Sequence, residues 1–375
     1  MSRIVPGDAA GVRDAVRTLL AGGLVAFPTE TVYGLGARAR DVNAVRSVFR
    51  AKGRPADHPL IVHLPTDASL DDWAADVPQA ARTLAARFWP GPLTLVLRRA
   101  PGVANEITGG QDTVALRTPS HPVAVALLRA LGEPVVAPSA NRFGRISPTR
   151  AEHVASEFSD LDLTVLDGGP CDVGLESTIV DLSGAAPALL RPGAVSGAEL
   201  ERALGARLVL PGELGPAVPR VPGRLERHYA PAAPTRLIDA AELRTPFPRL
   251  EGAALLLCRA PLPDGGFAAI RRLQAEPVAY GRELYAALRA LDAASPSEVI
   301  IERPPAGEMW TAVHDRLARA TGSRPGQDSG GLHAGDPAHD VVRDEPASDE
   351  PADDEPAGSE RARDHGDPRH DEERR

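Results

Sequence analysis

The chain has 375 residues, 43% of them hydrophobic and 4% aromatic, with 42 Lys plus Arg against 51 Asp plus Glu and a formal net charge of −9. That length suits two or three domains with real cores, and no apolar run approaches the roughly 18 residues of a membrane-spanning helix. Two distant cysteines, Cys171 and Cys258, give neither a disulfide framework nor a zinc pattern, and the first residues contain no apolar signal core. A reducing cytoplasm fits both. The charge is uneven: Pro325 to Arg375 holds 16 Asp/Glu and 6 Arg, so the rest of the chain is close to neutral and free to carry local basic patches for anionic ligands.

In chain order, Gly11 to Ala21 reads as a helix, with Val12, Ala15, Val16, Leu19 and Leu20 at helical spacing and Gly22-Gly23 as its stop. Leu24 to Phe27 reads as a buried strand. Pro28 to Gly36 reads as a strand leading into a hydroxyl-rich loop whose glycines admit a ligand. If extended, it puts Thr29 and Thr31 on one face and Glu30 on the other. A helix over Val42–Arg50, capped by Asp41 or Asn43, delivers Lys52 and Arg54 at its end. Further strands are expected over Leu60–Leu64, Leu93–Leu97, Thr113–Arg117, from Val135, over Thr164–Asp167 and Ser177–Asp181, and at Leu189–Arg191. Helices are expected over most of Leu70–Phe88, over Pro122–Leu131, opening at Ser147-Pro-Thr149, and over Glu199–Leu204. Interleaved strands and helices predict an α/β catalytic domain over 8–206.

Residues 207–234 hold six prolines and read as a linker. The Arg, His and Tyr of Pro222-Gly-Arg-Leu-Glu-Arg-His-Tyr-Ala-Pro231 suggest that it folds over a site. A second, smaller α/β unit covers 235–322, with strands at 252–258 and 299–302 and helices over 279–293 and 310–320. It has no glycine-rich phosphate loop. From 323 to 375 the chain is acidic and Pro-rich, with Asp-Glu-Pro recurring at Asp344, Asp349 and Asp354, and is expected to be disordered.

Lys52 is the only lysine in the chain. Lysine is a compact point charge where arginine is a planar fork, so a position that keeps it can be one that sets an ammonium against a phosphate or carboxylate. Lys52, Arg54, Arg117 and Arg191 all fall at strand ends or loops, as do the small polar residues Ser139, Asn141, Ser147 and Ser177. In open α/β sheets such loops gather into the ligand crevice. Four cations with hydroxyl and amide groups suit a polyphosphate together with a carboxylate, although no Walker motif is present.

Phe27-Pro-Thr-Glu-Thr-Val-Tyr-Gly-Leu-Gly-Ala37, Lys52-Gly-Arg-Pro, Pro59-Leu-Ile-Val-His63, Trp89-Pro-Gly-Pro-Leu-Thr94, Pro138-Ser-Ala-Asn141, Ser147-Pro-Thr149, Glu176-Ser-Thr-Ile-Val-Asp181 and Arg191-Pro-Gly193 together resemble the YrdC family. With His228-Tyr-Ala-Pro231 and the second unit, the chain from Ile4 to Gly322 is similar to the family's long, two-domain L-threonylcarbamoyl-AMP synthases. The resemblance implies a YrdC-like twisted mixed sheet with flanking helices, followed by a smaller Rossmann-like α/β domain. It implies a reaction of L-threonine, bicarbonate or CO2 and ATP, with Mg2+, giving threonylcarbamoyl-AMP and pyrophosphate. A threonylcarbamoyl-transferase complex then acts on the adenosine beside the anticodon of tRNA. Carried over by residue, Thr31, His63, Arg117, Ala137 and Ser177 would hold threonine. Lys52, Arg54, His58, Thr113, Ser139, Asn141, Ser147 and Arg191, with His228 and Tyr229 from the linker, would line the ATP side. Lys52, Arg54, Ser139 and Asn141 would be closest to the chemistry, and no protein metal site is implied.

Two positions depart from the family pattern. His58 stands where Asn is usual, and Arg142-Phe-Gly-Arg145 replaces a hydroxyl-glycine pair. One alternative is an RNA-binding module of the same fold, including binding of double-stranded RNA. The near-neutral body and scarce aromatics are thin support for it. Another alternative is a different carbamoyl-adenylating enzyme of the fold, but its zinc-type cysteine pairs and acylphosphatase motif are missing.

Overall fold

The computed structural model describes residues 1–322 except 216–217, 226, 245–251 and 264–265. The acidic segment 323–375, expected above to be disordered, lies outside the described residues. The strands are β1 (Arg3–Pro6), β2 (Val25–Pro28), β3 (Tyr33–Arg38), β4 (Ile61–His63), β5 (Leu93–Arg98), β6 (Thr113–Arg117), β7 (Val135–Val136), β8 (Thr164–Asp167), β9 (Thr178–Asp181), β10 (Ala188–Arg191), β11 (Thr235–Ile238), β12 (Ala254–Leu257), β13 (Ala269–Arg272) and β14 (Val299–Glu302). The helices are α1 (Ala9–Leu20), α2 (Val42–Lys52), α3 (Gln79–Phe88), α4 (Asn105–Thr108), α5 (Pro122–Leu131), α6 (Ala151–Glu157), α7 (Gly197–Leu204), α8 (Pro277–Asp292) and α9 (Thr311–Thr321).

The first ten strands form one mixed sheet in the order β1-β8-β2-β3-β7-β4-β6-β5-β9-β10, and the last four form a parallel sheet in the order β11-β14-β12-β13. This is the mixed α/β class expected above. The large sheet is apolar on both faces. One is covered by α1 and α5, whose Val12, Leu19 and Leu127 cluster with Phe27 of β2. The other carries the main core, including Val48, Leu84, Leu95, Leu116 and Phe158. In the second sheet, α8 and α9 pack against Leu256, Val299 and Ile301, and Leu255, Leu257 and Ile300 face the opposite cluster. Both sheets belong to one compact unit.

Local chemistry explains most boundaries. Asp8 and Asp41 cap α1 and α2 by accepting backbone N–H bonds, and Gly53, at φ +63°, closes α2. Ser196 and Glu199 form a capping box that starts α7 at Gly197. Three expectations shift. Leu70 to Phe88 is not one helix: a 3-10 turn over Leu70–Asp72 is separated from α3 by Pro78, which restricts the residue before it and cannot continue an earlier helix. Ser147-Pro-Thr149 opens no helix either. The Pro148 carbonyl accepts the Tyr33 N–H and the Thr149 carbonyl accepts the Cys171 N–H, so the segment is drawn alongside its neighbours and α6 starts only at Ala151. Finally, Thr29 to Val32 is not extended. It is the bend of the β2–β3 hairpin, and this changes where Glu30 points.

Leu116 is fully buried in β6, between β4 and β5. Leu116→Ala is expected to lower unfolding free energy by about 2–5 kcal/mol through the cavity it leaves, read as a drop in the urea midpoint at constant slope.

Candidate active site

Parallel pairing of β4 and β6 sets His63 beside Arg117 at the strands' carboxyl ends. A register irregularity between β9 and β10, at Leu189 to Arg191, lets the Arg191 guanidinium turn back onto Ser177. His63, Arg117 and Arg191 meet in a narrow cavity of about 50 Å3, while Ser177 sits just behind its wall. Its wall includes Thr29, Thr31, Gly34, Arg54, His63, Arg117, Ala137, Ser139, Glu176 and Arg191, with Pro222, Gly223, His228 and Tyr229 from the linker.

On one side of the cavity, Arg117 donates through Nη1 to Thr31 Oγ1 at 2.8 Å and through Nε to the Gly91 carbonyl at 3.3 Å. Its Nη2 stands 2.7 Å from Glu30 Oε1. The other Glu30 oxygen accepts the Ser120 N–H at 3.1 Å. Burial pushes the Glu30 carboxyl up, but the Arg117 charge and these hydrogen bonds prevail and hold it below its ordinary value. Thr31 Oγ1 also meets Thr29 Oγ1 at 2.8 Å. His63 is held neutral: burial, then the nearby Arg117 charge, lowers it to about 3. Its Nδ1 lies 3.3 Å from the Ile61 carbonyl. If Nδ1 carries the proton, Nε2 is left as an acceptor.

On the other side, Arg191 donates to the Ser177 carbonyl at 3.0 Å, to Ser177 Oγ at 3.2 Å and to the Pro222 carbonyl at 2.9 Å. Ser177 Oγ also pairs with Thr94 Oγ1 at 2.8 Å. Arg54 donates to the Pro59 carbonyl at 2.8 Å while its buried Nε has no partner. Burial lowers it to about 10. A buried guanidinium with an unused donor at a cavity wall is suited to receive an anion.

Lys52 is not in that wall. It lies behind it, 3% exposed, with its ammonium bonded to the carbonyls of Ser139, at 2.6 Å, and of Asn141. Burial, then the Arg54 charge, drives it well below the usual lysine value. Asn141 braces the same turn by donating to the carbonyls of Arg142 and Arg145. Ser147 donates to Glu176 at 2.6 Å. Thr113 sits four residues from Arg117 on β6, about 13 Å along the strand, and is outside the cavity wall. So is His58, whose ring meets Phe143 edge-on at 5.2 Å and which burial, then Arg54, lowers. The two arginines of the departing 142–145 loop act as ties: Arg142 pairs with Asp160 and Arg145 with Asp292 on α8.

The linker is stitched across the cavity. Ala230 N–H bonds the Gly144 carbonyl and His228 N–H bonds the Arg319 carbonyl. The His228 ring is neutral, lowered to about 3 by burial. Tyr229 has φ +61°, a conformation that costs a bulky residue about 1–3 kcal/mol. Surrounding contacts hold it there. Its ring stacks on Tyr285 at 5.7 Å and Arg316 lies over it at 5.4 Å. Gly223, at φ +83°, must be glycine, because a Cβ there would stand 1.9 Å from the Tyr229 hydroxyl.

The sequence reading missed Glu30, Glu176, Phe143, Tyr285 and Arg316. Extended alternation puts Glu30 on the face opposite Thr29 and Thr31, whereas the hairpin bend brings it to Arg117. The charge and hydroxyl content around Arg117 was visible, but not the partner. Because the Glu30 carboxyl is held low, its ion pair stabilises the fold above the ordinary carboxylate pKa and loses that contribution as pH falls through the lowered value. Glu30→Gln is expected to destabilise by about 3–5 kcal/mol near neutrality. In chemical denaturation at a series of pH values, the gap from the parent should narrow steadily below about pH 4.

Comparison with known proteins places this geometry. Residues 17–193 match the family described as "Telomere recombination", which groups Sua5, YciO and YrdC, and residues 195–322 match "Threonylcarbamoyl-AMP synthase, C-terminal domain". A threonylcarbamoyl-AMP synthase of Pyrococcus abyssi is 40% identical over 84% of this chain and 94% of its own. One from Bacillus subtilis is 40% identical over 80% and 90%. The crystal structure of P. abyssi Sua5 complexed with L-threonine superposes with a TM-score of 0.77 at 36% identity, covering 86% of this chain and 98% of that one.

Proposed function

The chain belongs to the threonylcarbamoyl-AMP synthase family, and from that premise we propose how its own residues carry out the nucleotidyl transfer. Its activity is formation of threonylcarbamoyl-AMP, with ATP and L-threonine as substrates. The observation that carries the residue roles is the two-sided cavity: Arg117, Thr31 and His63 on one side, Arg54 and Arg191 on the other, with Ser139 and Ala137 also in its wall.

Threonine binds by its carboxylate to Arg117. A guanidinium has five N–H groups. Hydrogen bonds to Gly91 and Thr31 use two, and Nη2, ion-paired with Glu30 at 2.7 Å, has no hydrogen-bond partner, so N–H groups remain for a paired bond to carboxylate. The amine and side-chain hydroxyl meet Thr31, His63 and Ser177, and the small Ala137 side chain leaves room for them. The neutral amine adds to CO2 with release of a proton to solvent, or displaces water from bicarbonate, to give a carbamate; the carbamate oxygen attacks the α-phosphorus, and pyrophosphate leaves. Arg54 and Arg191 are fixed cations for the phosphates, so the developing charge meets donors already in place. Lys52 and Asn141 act through the turn they hold, keeping Ser139 at the nucleotide. His63 and His228 are both lowered to about 3 and stay neutral, serving as hydrogen-bonding groups and not as cations. Product then passes to a threonylcarbamoyl-transferase complex that modifies the adenosine beside the tRNA anticodon.

For magnesium, the carboxylates at the cavity do not form a site. Glu30 and Glu176 are each tied to an arginine and to further donors, and no His/Cys/Asp/Glu cluster suited to a metal occurs among the described residues. Magnesium in this proposal arrives on the nucleotide's own phosphates.

The cavity is far smaller than the roughly 300–1,000 Å3 that small-molecule ligands occupy. Pro222, Gly223, His228 and Tyr229 form one side of it, so the linker must move for nucleotide to enter. Cleavage by a protease between Pro211 and Pro222 is expected to slow when ATP and L-threonine are both present. Equal rates with and without them would remove this role for the linker. For the reaction itself, purified chain with ATP, L-threonine, Mg2+ and 13C-bicarbonate is expected to release pyrophosphate and give a threonylcarbamoyl-AMP one mass unit heavier. No pyrophosphate, together with tight RNA binding at moderate salt, would favour an RNA-binding module instead.

A further inference from the structure

The second α/β unit reaches the cavity through one carboxylate. Glu176, in the cavity wall, accepts from Ser147 Oγ at 2.6 Å on Oε1, and from Tyr285 Oη at 2.9 Å and Arg316 Nε at 2.7 Å on Oε2. Arg316 Nη2 also bonds the Glu176 carbonyl at 3.2 Å, and Nη1 bonds Asp315 at 2.6 Å. Arg316 is 1% exposed, and the same guanidinium lies over the Tyr229 ring. Tyr285 and Arg316 come from α8 and α9, so two helices of the second unit fix both a carboxylate and the strained linker tyrosine of the first unit's site. A carboxylate in the wall of a cavity that must accept a triphosphate is a liability unless its charge is neutralised.

We propose that Arg316 is a positioning residue for nucleotide binding: it neutralises Glu176 and anchors Tyr229, so that the wall offered to the phosphates is not anionic. This rests on the synthase reading above and assigns the second unit a part in it. Arg117, Thr31 and His63, three of the groups given to threonine above, make no bond to Glu176 or Arg316, and only Ser177 adjoins Glu176, so loss of Arg316 should fall far more on ATP than on threonine. A merely structural role would weaken both together.

The test is calorimetric titration of ATP, and separately of L-threonine, into the full chain and its variants, alongside KM for each substrate. Arg316→Met is expected to weaken ATP by about tenfold or more with threonine changed little. Glu176→Gln/Arg316→Met, which also removes the stranded negative charge, is expected to recover most of the ATP affinity. If Arg316→Met does not fold by thermal melting, Tyr285→Phe removes only the hydroxyl donor to Glu176 and is expected to weaken ATP about threefold, again with threonine spared. Equal losses for both ligands, or a double variant no better than the single, would overturn the proposal. Failure of the function reading looks different: the parent chain would then give no threonylcarbamoyl-AMP, while titration would still report whether Arg316 governs nucleotide binding.

Discussion

Burying positive charge in one place is the constraint that organises this molecule. Lys52, Arg54, Arg117 and Arg191 are each under a tenth exposed, and an unpaired buried cation is expensive. The fold compensates each differently. Lys52 has two carbonyls, Arg117 a carboxylate and a threonine, and Arg191 a serine and a linker carbonyl. Arg54 is the least compensated, with one carbonyl and an unused Nε. That gradient separates groups that hold the site's shape from groups left with capacity for an anion.

The strand pairing makes this possible. A parallel pair brings His63 and Arg117 to the same end, and the irregularity between β9 and β10 turns Arg191 inward. The linker then closes the space from the far side. It does so at a backbone cost at Tyr229, offset by stacking on Tyr285 and by the Arg316 cation over its ring. The two units are therefore joined through the site and not merely tethered beside it.

Much of this was legible in the sequence because the informative residues are local. Short motifs at strand ends named Arg54, Arg117, Ser139 and Arg191, and the cavity brings them together. What was illegible had two physical causes. Glu30 required knowing that four residues form a bend, where period-two alternation fails. Glu176, Tyr285 and Arg316 required contacts across more than 100 residues, and nothing in the spacing of a buried ion pair marks its partner. Lys52 was a different case. Its singularity drew attention to the right loop, but a lone ammonium is equally suited to holding carbonyl oxygens, and the turn after β7 uses it that way. The ring of Pro148 suits the opening of a helix, yet its carbonyl accepts the Tyr33 N–H of β3.

The solitary lysine has one more consequence. With Lys52 inside the protein, bonded through its ammonium and driven well below its usual basicity by burial and then by the Arg54 charge, the folded chain offers no side-chain amine to acylating or aldehyde reagents. Cross-linkers, biotin esters and fluorescent dyes that attach through lysine will leave its side chains unmodified while it is folded. Reaction at Lys52 would thus be a direct chemical signature that the loop carrying Ser139 and Asn141 has come apart.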